Sequence, residues 1–310
     1  MSLLIKKSVI FAKVESTSGV DASPDASNDA AIVYDLEVGN EFDANERDDK
    51  GVALGNQQEL TGQARMNPSM TTELRGSGAA GTAPVGDTAL FKMCGLSETV
   101  SGGTSVTYAP RSAGFETATV YANLDGVRHA MLGCAGNVEL SIVAGETAKL
   151  NWSFMAPWSA PTDVSVPTSY TPNTTLPPVA KNMTVSLDSY TPKVHSFSMN
   201  LNNVITERPD VNSTYGISGY QITGRNVGAE LVVEAVTLAS QNYWASLSAD
   251  LTVPFSLVIG ATAGNIITLT ATARIRNIQW ADTEGIATFT VSMQFLKSGN
   301  GNNEFSLVLT

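Results

Sequence analysis

Charge is scarce in this chain. Only 15% of its 310 residues are Asp, Glu, Lys or Arg, against about 25% in ordinary soluble domains. What charge there is leans one way, with 29 acidic residues against 18 basic and a net of −11. Such a chain repels polyanions, which argues against tight sequence-reading of nucleic acid. Cysteine is nearly missing: Cys94 and Cys134 are too few for a disulfide framework. They read as small buried or half-buried thiols of a protein made and kept in a reducing cytoplasm. Long apolar runs are missing too, as no segment approaches the ~18 residues of a membrane span. The opening Met-Ser-Leu-Leu-Ile is broken by Lys6 and Lys7 before a leader-like apolar core develops, so neither a signal peptide nor a membrane anchor is expected.

Hydrophobic residues, by contrast, make up 43% of the chain, enough for a substantial core. The length suits one large domain or two small ones. Faces rich in Gly, Ser, Thr and Asn but poor in charge suit contact with other protein as much as with water.

No motif assembles a chemistry. Gly76-Ser-Gly78-Ala-Ala-Gly81 matches a dinucleotide fingerprint, but Pro84 intervenes before any helix can point its amides at a pyrophosphate. Asp43-Ala-Asn45-Glu-Arg47-Asp48 begins like a calcium loop, yet it has Arg at the fifth position and no glycine at the sixth. His129 and His195 fall in predicted strands, without partners at zinc spacing. Trp152, Trp158, Trp244 and Trp280 are widely spread and read as core or interface anchors. The expectation is a protein with no catalytic residues, cofactor or metal.

Periodicity predicts antiparallel β structure. Strands are expected at 8–15, 31–38, 104–109, 116–122, 127–143 and 147–154, with extended chain over 60–75 bent at Pro68. Residues 41–58 carry Glu41, Asp43, Glu46, Asp48 and Asp49 with little periodicity, which predicts a long acidic loop or arm. A short helix is expected after Pro84, with Asp87 as N-cap and Gly95 as the stop. Six of the 13 prolines crowd into 157–178, which marks a semi-rigid connector between 1–156 and 179–310. Beyond it, strands are expected at 183–187, 195–201, 219–224, 229–236, 255–259, 265–279, 285–297 and 304–309, with a helix over 238–247. From Ile267 to Arg276 apolar and polar residues alternate, which predicts one buried and one polar face.

The halves echo each other. Leu60-Thr61-Gly62, followed by Arg65, resembles Ile222-Thr223-Gly224-Arg225, and each opens an extended segment leading toward a helix. Asp125-Gly126-Val127 resembles Glu284-Gly285-Ile286, while Asn123-Leu-Asp-Gly-Val127 also resembles Asn200-Leu-Asn-Asn-Val204 at a conflicting offset.

The segment Thr72-Glu-Leu-Arg-Gly-Ser-Gly-Ala-Ala-Gly-Thr-Ala-Pro-Val-Gly-Asp-Thr-Ala-Leu-Phe-Lys-Met-Cys-Gly-Leu96 resembles the strand-to-helix passage of tail tube (major tail) proteins of bacteriophages with long non-contractile tails. So do Lys7–Asp21, Tyr108-Ala-Pro110, Asn123–Val127 and Gly133-Cys-Ala-Gly-Asn137, which together span most of 1–157. The second half is similar more loosely, through Ile222–Arg225 and Glu284–Val291.

The resemblance implies a mainly β protein: an antiparallel β-sandwich or barrel of the tail-tube kind with a short flanking helix, and two such halves in one chain. It implies a structural virion protein of the phage tail, made in the host bacterial cytoplasm. Copies would join into homo-oligomeric rings, and stacked rings would form the conduit for double-stranded DNA ejection. A ring of six tube domains closes about 24 strands; at ~4.8 Å spacing and ~45° tilt its backbone diameter is about 50 Å, wide enough for a duplex. If both halves are tube domains, a trimer with pseudo-sixfold symmetry makes the ring, and this is favoured over a hexamer. The second half is otherwise an outer decoration domain. Implied partners are the tape measure, tail terminator and distal tail proteins, with DNA as non-sticking cargo. The candidate inter-ring loop carries Glu41, Asp43, Glu46, Asp48 and Asp49; Leu60, Thr61, Gly62, Arg65, Ile222, Thr223, Gly224 and Arg225 mark candidate tube strands. The alternative is a ligand-binding β-sandwich module of a tail fibre or adhesin.

Overall fold

The computed structural model describes residues 3–52 and 54–310; Met1, Ser2 and Ala53 of the acidic loop lie outside the described residues. The first half contains β1 (Ser8–Val14), β2 (Ala30–Ala31), β3 (Tyr34–Glu37), β4 (Asn40–Asn45), β5 (Leu60–Met66), β6 (Ser69–Glu73), α1 (Asp87–Met93), β7 (Leu96–Ser101), β8 (Ser105–Pro110), β9 (Ala118–Leu124), β10 (Val127–Val143) and β11 (Lys149–Pro157). The proline-rich stretch contributes only β12 (Thr162–Asp163). The second half contains β13 (Thr184–Leu187), β14 (Val194–Asn200), β15 (Asn203–Pro209), β16 (Ile217–Arg225), β17 (Gly228–Glu234), α2 (Tyr243–Ser248), β18 (Thr252–Ile259), β19 (Ile267–Thr283), β20 (Ile286–Phe295) and β21 (Phe305–Leu309).

All pairings between these strands are antiparallel, and together they form an open, branching ladder that no pairing closes into a barrel. This is a mostly antiparallel β fold consistent with a β-sandwich. In the first half the order is β3-β6-β11-β10-β9-β1, with the β4–β5 hairpin branching from β11. In the second it is β14-β17-β20-β19-β18-β13, preceded along the chain by no extra strand but again containing a hairpin, β15–β16. The two orders match element for element. The helix follows β6 in one half and β17 in the other, and the long strands β10 and β19 are both 17 residues. Even the small additions correspond: β12 pairs with the start of β10, and β21 with the start of β19. Among the described residues only β2, paired with β1, and the β7–β8 hairpin have no counterpart.

The halves meet in one ladder. Strand β14 pairs with the end of β10, from Glu139↔Asn200 to Val143↔Ser196. At the far side β21 pairs with β8. One apolar core runs through both halves, from Ile10, Trp152 and Phe91 to Phe255, Phe289 and Leu307. Alternation explains it locally: β11 buries Leu150, Trp152, Phe154 and Ala156 and leaves the residues between them outside.

Local chemistry sets the helices. Helix α1 buries Ala89, Leu90, Phe91 and Met93, with Phe91 edge-on to Trp152 at 5.1 Å and stacked on Tyr108 at 4.5 Å. It stops at Gly95, whose φ of +77° is the left-handed conformation of a C′ glycine. Asp87 is not the N-cap expected from sequence. Gly86 occupies that position, and Asp87 is the first helical residue, buried. Burial pushes the Asp87 carboxyl up to about 7, partly opposed by the charge of Arg75. The folded chain therefore holds a proton that the unfolded chain releases above about pH 4. Stability from this group is fullest below that point and is lost as pH rises toward 7. Asp87→Asn is expected to raise stability at pH 8 by about 1–3 kcal/mol and to change little at pH 4. Thermal melts at the two pH values check this; a variant whose curve runs parallel to the parent at both would contradict it.

Helix α2 begins later than the predicted 238, because the Asn242 side chain accepts from the Ala245 N–H and fixes the N-terminus there.

Candidate functional site

The acidic segment predicted as a loop is partly ordered as strand. Residues 40–45 form β4, in a hairpin with β5. The cause is Arg65 on β5. Its guanidinium pairs with Glu41 at 2.9 Å and Asp43 at 2.6 Å on β4, and with Glu207 on β15 at 3.1 Å. Those carboxylates hold the Arg65 pKa above its ordinary value, despite partial burial. Glu41 is in turn held below the usual carboxylate range by hydrogen bonds from Arg65 and Asn67. One arginine thus ties the first hairpin to itself and to the β15–β16 hairpin. Glu46, Asp48 and Asp49 remain exposed in the connection beyond β4. Arg65→Ala is expected to cost about 1–3 kcal/mol, since it leaves three facing carboxylates without their cation. Chemical denaturation checks it, and raised salt should recover part of the loss.

Leu60, Thr61, Gly62 and Arg65 lie on β5, and Ile222, Thr223, Gly224 and Arg225 on β16. These are corresponding strands of the two hairpins. Arg225 binds Glu304 at 2.8 Å and the Arg111 carbonyl at 3.0 Å, which anchors the second hairpin to both halves. The other echoes fall at turns. Asp125-Gly126 closes β9–β10 and Glu284-Gly285 closes β19–β20, each as a two-residue link with both φ values positive. Those turns do not correspond in the two strand orders, so the echo reflects turn chemistry alone.

The glycine-rich loop is filled by protein. Gly78 N–H donates to the Gly264 carbonyl at 3.1 Å, and Gly76 N–H donates to Asn265 Oδ1 at 2.7 Å. A Cβ on Gly76 would lie 2.0 Å from the Gly264 oxygen. These glycines permit two backbones to touch, and they leave no room for a phosphate.

His129 lies on β10 and His195 on β14, the latter 3.9 Å from Glu234. Cys94 and Cys134 are both free and buried. Among the described residues no cluster of His, Cys, Asp and Glu could hold a metal ion. Nor is any helix among them long and apolar enough to cross a membrane.

What the geometry offers instead is unpaired sheet edge. Among the described residues, strand β3 has β6 on one side and no paired strand on the other. The end of β19, from about 277 to 283, has β20 on one side and no paired strand among them on the other. Sequence periodicity missed this second edge, because the clean alternation of β19 stops at a bulge between Ile275 and Asn277. Beyond the bulge Trp280 is 66% exposed, while its counterpart in the first half, Leu140 on β10, is 3% exposed. Trp280 lies against Phe289 (centroids 4.5 Å apart) and Trp244 (6.2 Å) beside an open apolar groove of about 810 Å³. An unpaired strand edge of this kind offers backbone N–H and C=O groups on which a further strand can pair.

No curated protein matches the chain. A family model described as phage tail tube protein matches residues 6–302, nearly the whole length and both halves of the ladder. The chain belongs to the phage tail tube protein family.

Proposed function

We propose that this chain is the repeating structural subunit of a phage tail tube, which polymerises into rings that stack around a DNA-conducting lumen. The observation that carries this reading is the β10–β14 pairing, where one half joins the other by its sheet edge. Among the described residues two like edges, at β3 and at the end of β19, are left open. The matching strand orders support reading 1–156 and 179–310 as two tube domains, joined by the connector 157–178. Three chains then supply the six domains of a ring, with pseudo-sixfold symmetry.

The role is structural and non-enzymatic, and the place of action is the virion tail, assembled from subunits made in the host cytoplasm. The exposed carboxylates Glu46, Asp48 and Asp49, at the end of the β4–β5 hairpin, reach toward the neighbouring ring. Glu41 and Asp43 stiffen the base of that arm through Arg65. A net charge of −11 per chain keeps the conduit from binding phosphates, since a cationic lining would hold DNA by counterion release. Tape measure, terminator and distal tail proteins are the partners such a tube needs along and at the ends of its length.

Negative-stain microscopy of the purified protein over a range of concentrations tests this reading. Rings or tubes are expected. A protein that stays monomeric at the highest concentration would overturn it.

A further inference from the structure

We propose that the seam between chains copies the seam inside the chain: strand β3 of a second copy docks on the open end of β19, in the register that β14 adopts on β10. The inference rests on the ring reading above, but it names the strands, the register and the residue that anchors the contact.

The register follows from the internal repeat. Strands β10 and β19 have equal length and start at 127 and 267, an offset of 140. The partner strands carry this frame outward. Ser141 lies opposite Lys149 and Ala281 opposite Thr288, while Lys149 faces Glu73 on β6 and Thr288 faces Glu234 on β17. That sets Ser69 of β6 level with Glu230 of β17. Their outer neighbours are Glu37 of β3 and Ser198 of β14.

Inside the chain the seam pairs Leu140 with Met199, Ser141 with Ser198 and Ile142 with Phe197. Carried over to the open edges, this places Val38 of the second copy opposite Trp280, Glu37 opposite Ala281, and Leu36 opposite Asp282. The side-chain faces agree. Leu36 and Val38 already lean on the core of their own half, as Phe197 and Met199 do in theirs. Trp280 would then lie under the incoming strand, as Leu140 lies under β14.

Exposure supports the same occupant. Of the two corresponding seam regions, the internal one buries Leu140, Ile142, Phe197 and Met199. The open one leaves Trp280, Ile286 and Tyr34 exposed. The apolar groove beside Trp280 is lined by Leu238, Trp244, Leu247 and Phe289 and lies between α2 and this strand. A lone aromatic groove could take a small ligand, but a groove continuous with an unpaired strand fits a strand-bearing partner.

Cysteine crosslinking tests the register. In Glu37→Cys/Ala281→Cys both positions are exposed, and opposite residues of an antiparallel pair bring Cβ atoms within disulfide reach. Oxidation of assembled protein is expected to yield covalently closed rings. The off-register pair Glu37→Cys/Gln279→Cys, on the same face, is expected to crosslink at least about tenfold less. Cys94 and Cys134 are buried, and each single variant serves as the background control. Rings visible by microscopy without the Glu37–Ala281 crosslink, or with the off-register one preferred, would overturn the seam and leave the ring reading standing. Absence of rings from the unmodified protein as well would overturn both.

Discussion

Trp280→Asp is expected to leave the chain folded and to abolish ring formation. The side chain is two-thirds exposed and packs against Trp244 and Phe289 on its inner edge. Its loss from a lone subunit is therefore worth about 1 kcal/mol or less, in the range of strand-surface substitutions. In the proposed seam the same residue is covered by Val38 and the backbone of the neighbouring β3. Burying aspartate there removes an aromatic anchor and leaves an unpaired charge away from water. A central Trp of this kind contributes about 2–4 kcal/mol to an interface. A three-chain ring repeats the seam at every junction, so the penalties accumulate to a factor of about 10⁴ or more in ring formation. Sedimentation velocity across concentration reads the assembly, and a thermal melt of the same sample reads the fold. Rings at the parental concentration would remove Trp280 from the seam.

Gly76→Ala is expected to act on the opposite level, weakening the subunit itself. An added Cβ would meet the Gly264 carbonyl oxygen at 2.0 Å and its carbon at 2.9 Å, both backbone atoms that cannot rotate away. The contact lies within a three-way junction. Asn173 donates to the Gly76 carbonyl at 2.9 Å, Asn265 receives the Gly76 N–H, and Asn265 also donates to the Leu176 carbonyl at 2.7 Å. Relieving the clash moves the first half, the proline-rich connector and the second half together. The cost is about 3 kcal/mol or more, or a fall in melting temperature of roughly 5 °C or more. Gly102 is the control: a Cβ there meets nothing within 4 Å, so Gly102→Ala should stay within about 0.5 kcal/mol of the parent. Equal melting temperatures for the two variants would contradict the packing account.

Legibility from sequence followed the range of the forces involved. The 17-residue strand over 127–143 was readable in full, since its alternation and the Asp125-Gly126 turn are local signals. So was the break at Pro68, which separates β5 from β6 on a shared partner strand. Strand β4 was hidden, because acidic residues are poor strand formers. What orders them is Arg65, about twenty residues away. Strand β15 was missed because its own residues are only half-buried or exposed; the hairpin is held by Arg65 and Arg225 and by the buried Ile217 and Tyr220 of β16, against which Ile205 packs.

The candidate site was the least legible part. The family resemblance rested on segment order, and the matching order of strands in the two halves was glimpsed only through Leu60-Thr61-Gly62 and Ile222-Thr223-Gly224. The open edges at β3 and β19 exist only once the ladder is traced, because an edge is a property of which strands are not neighbours. Trp280 could be assigned to core or interface from composition, but its exposure follows from the missing neighbour strand beside the end of β19.

The most direct test of the central claim is the mass and symmetry of the assembled ring, by native mass spectrometry with image averaging of the same sample. Three chains per ring and six similar lobes around one lumen are expected. A six-chain ring, or three chains without a sixfold repeat of density, would contradict it.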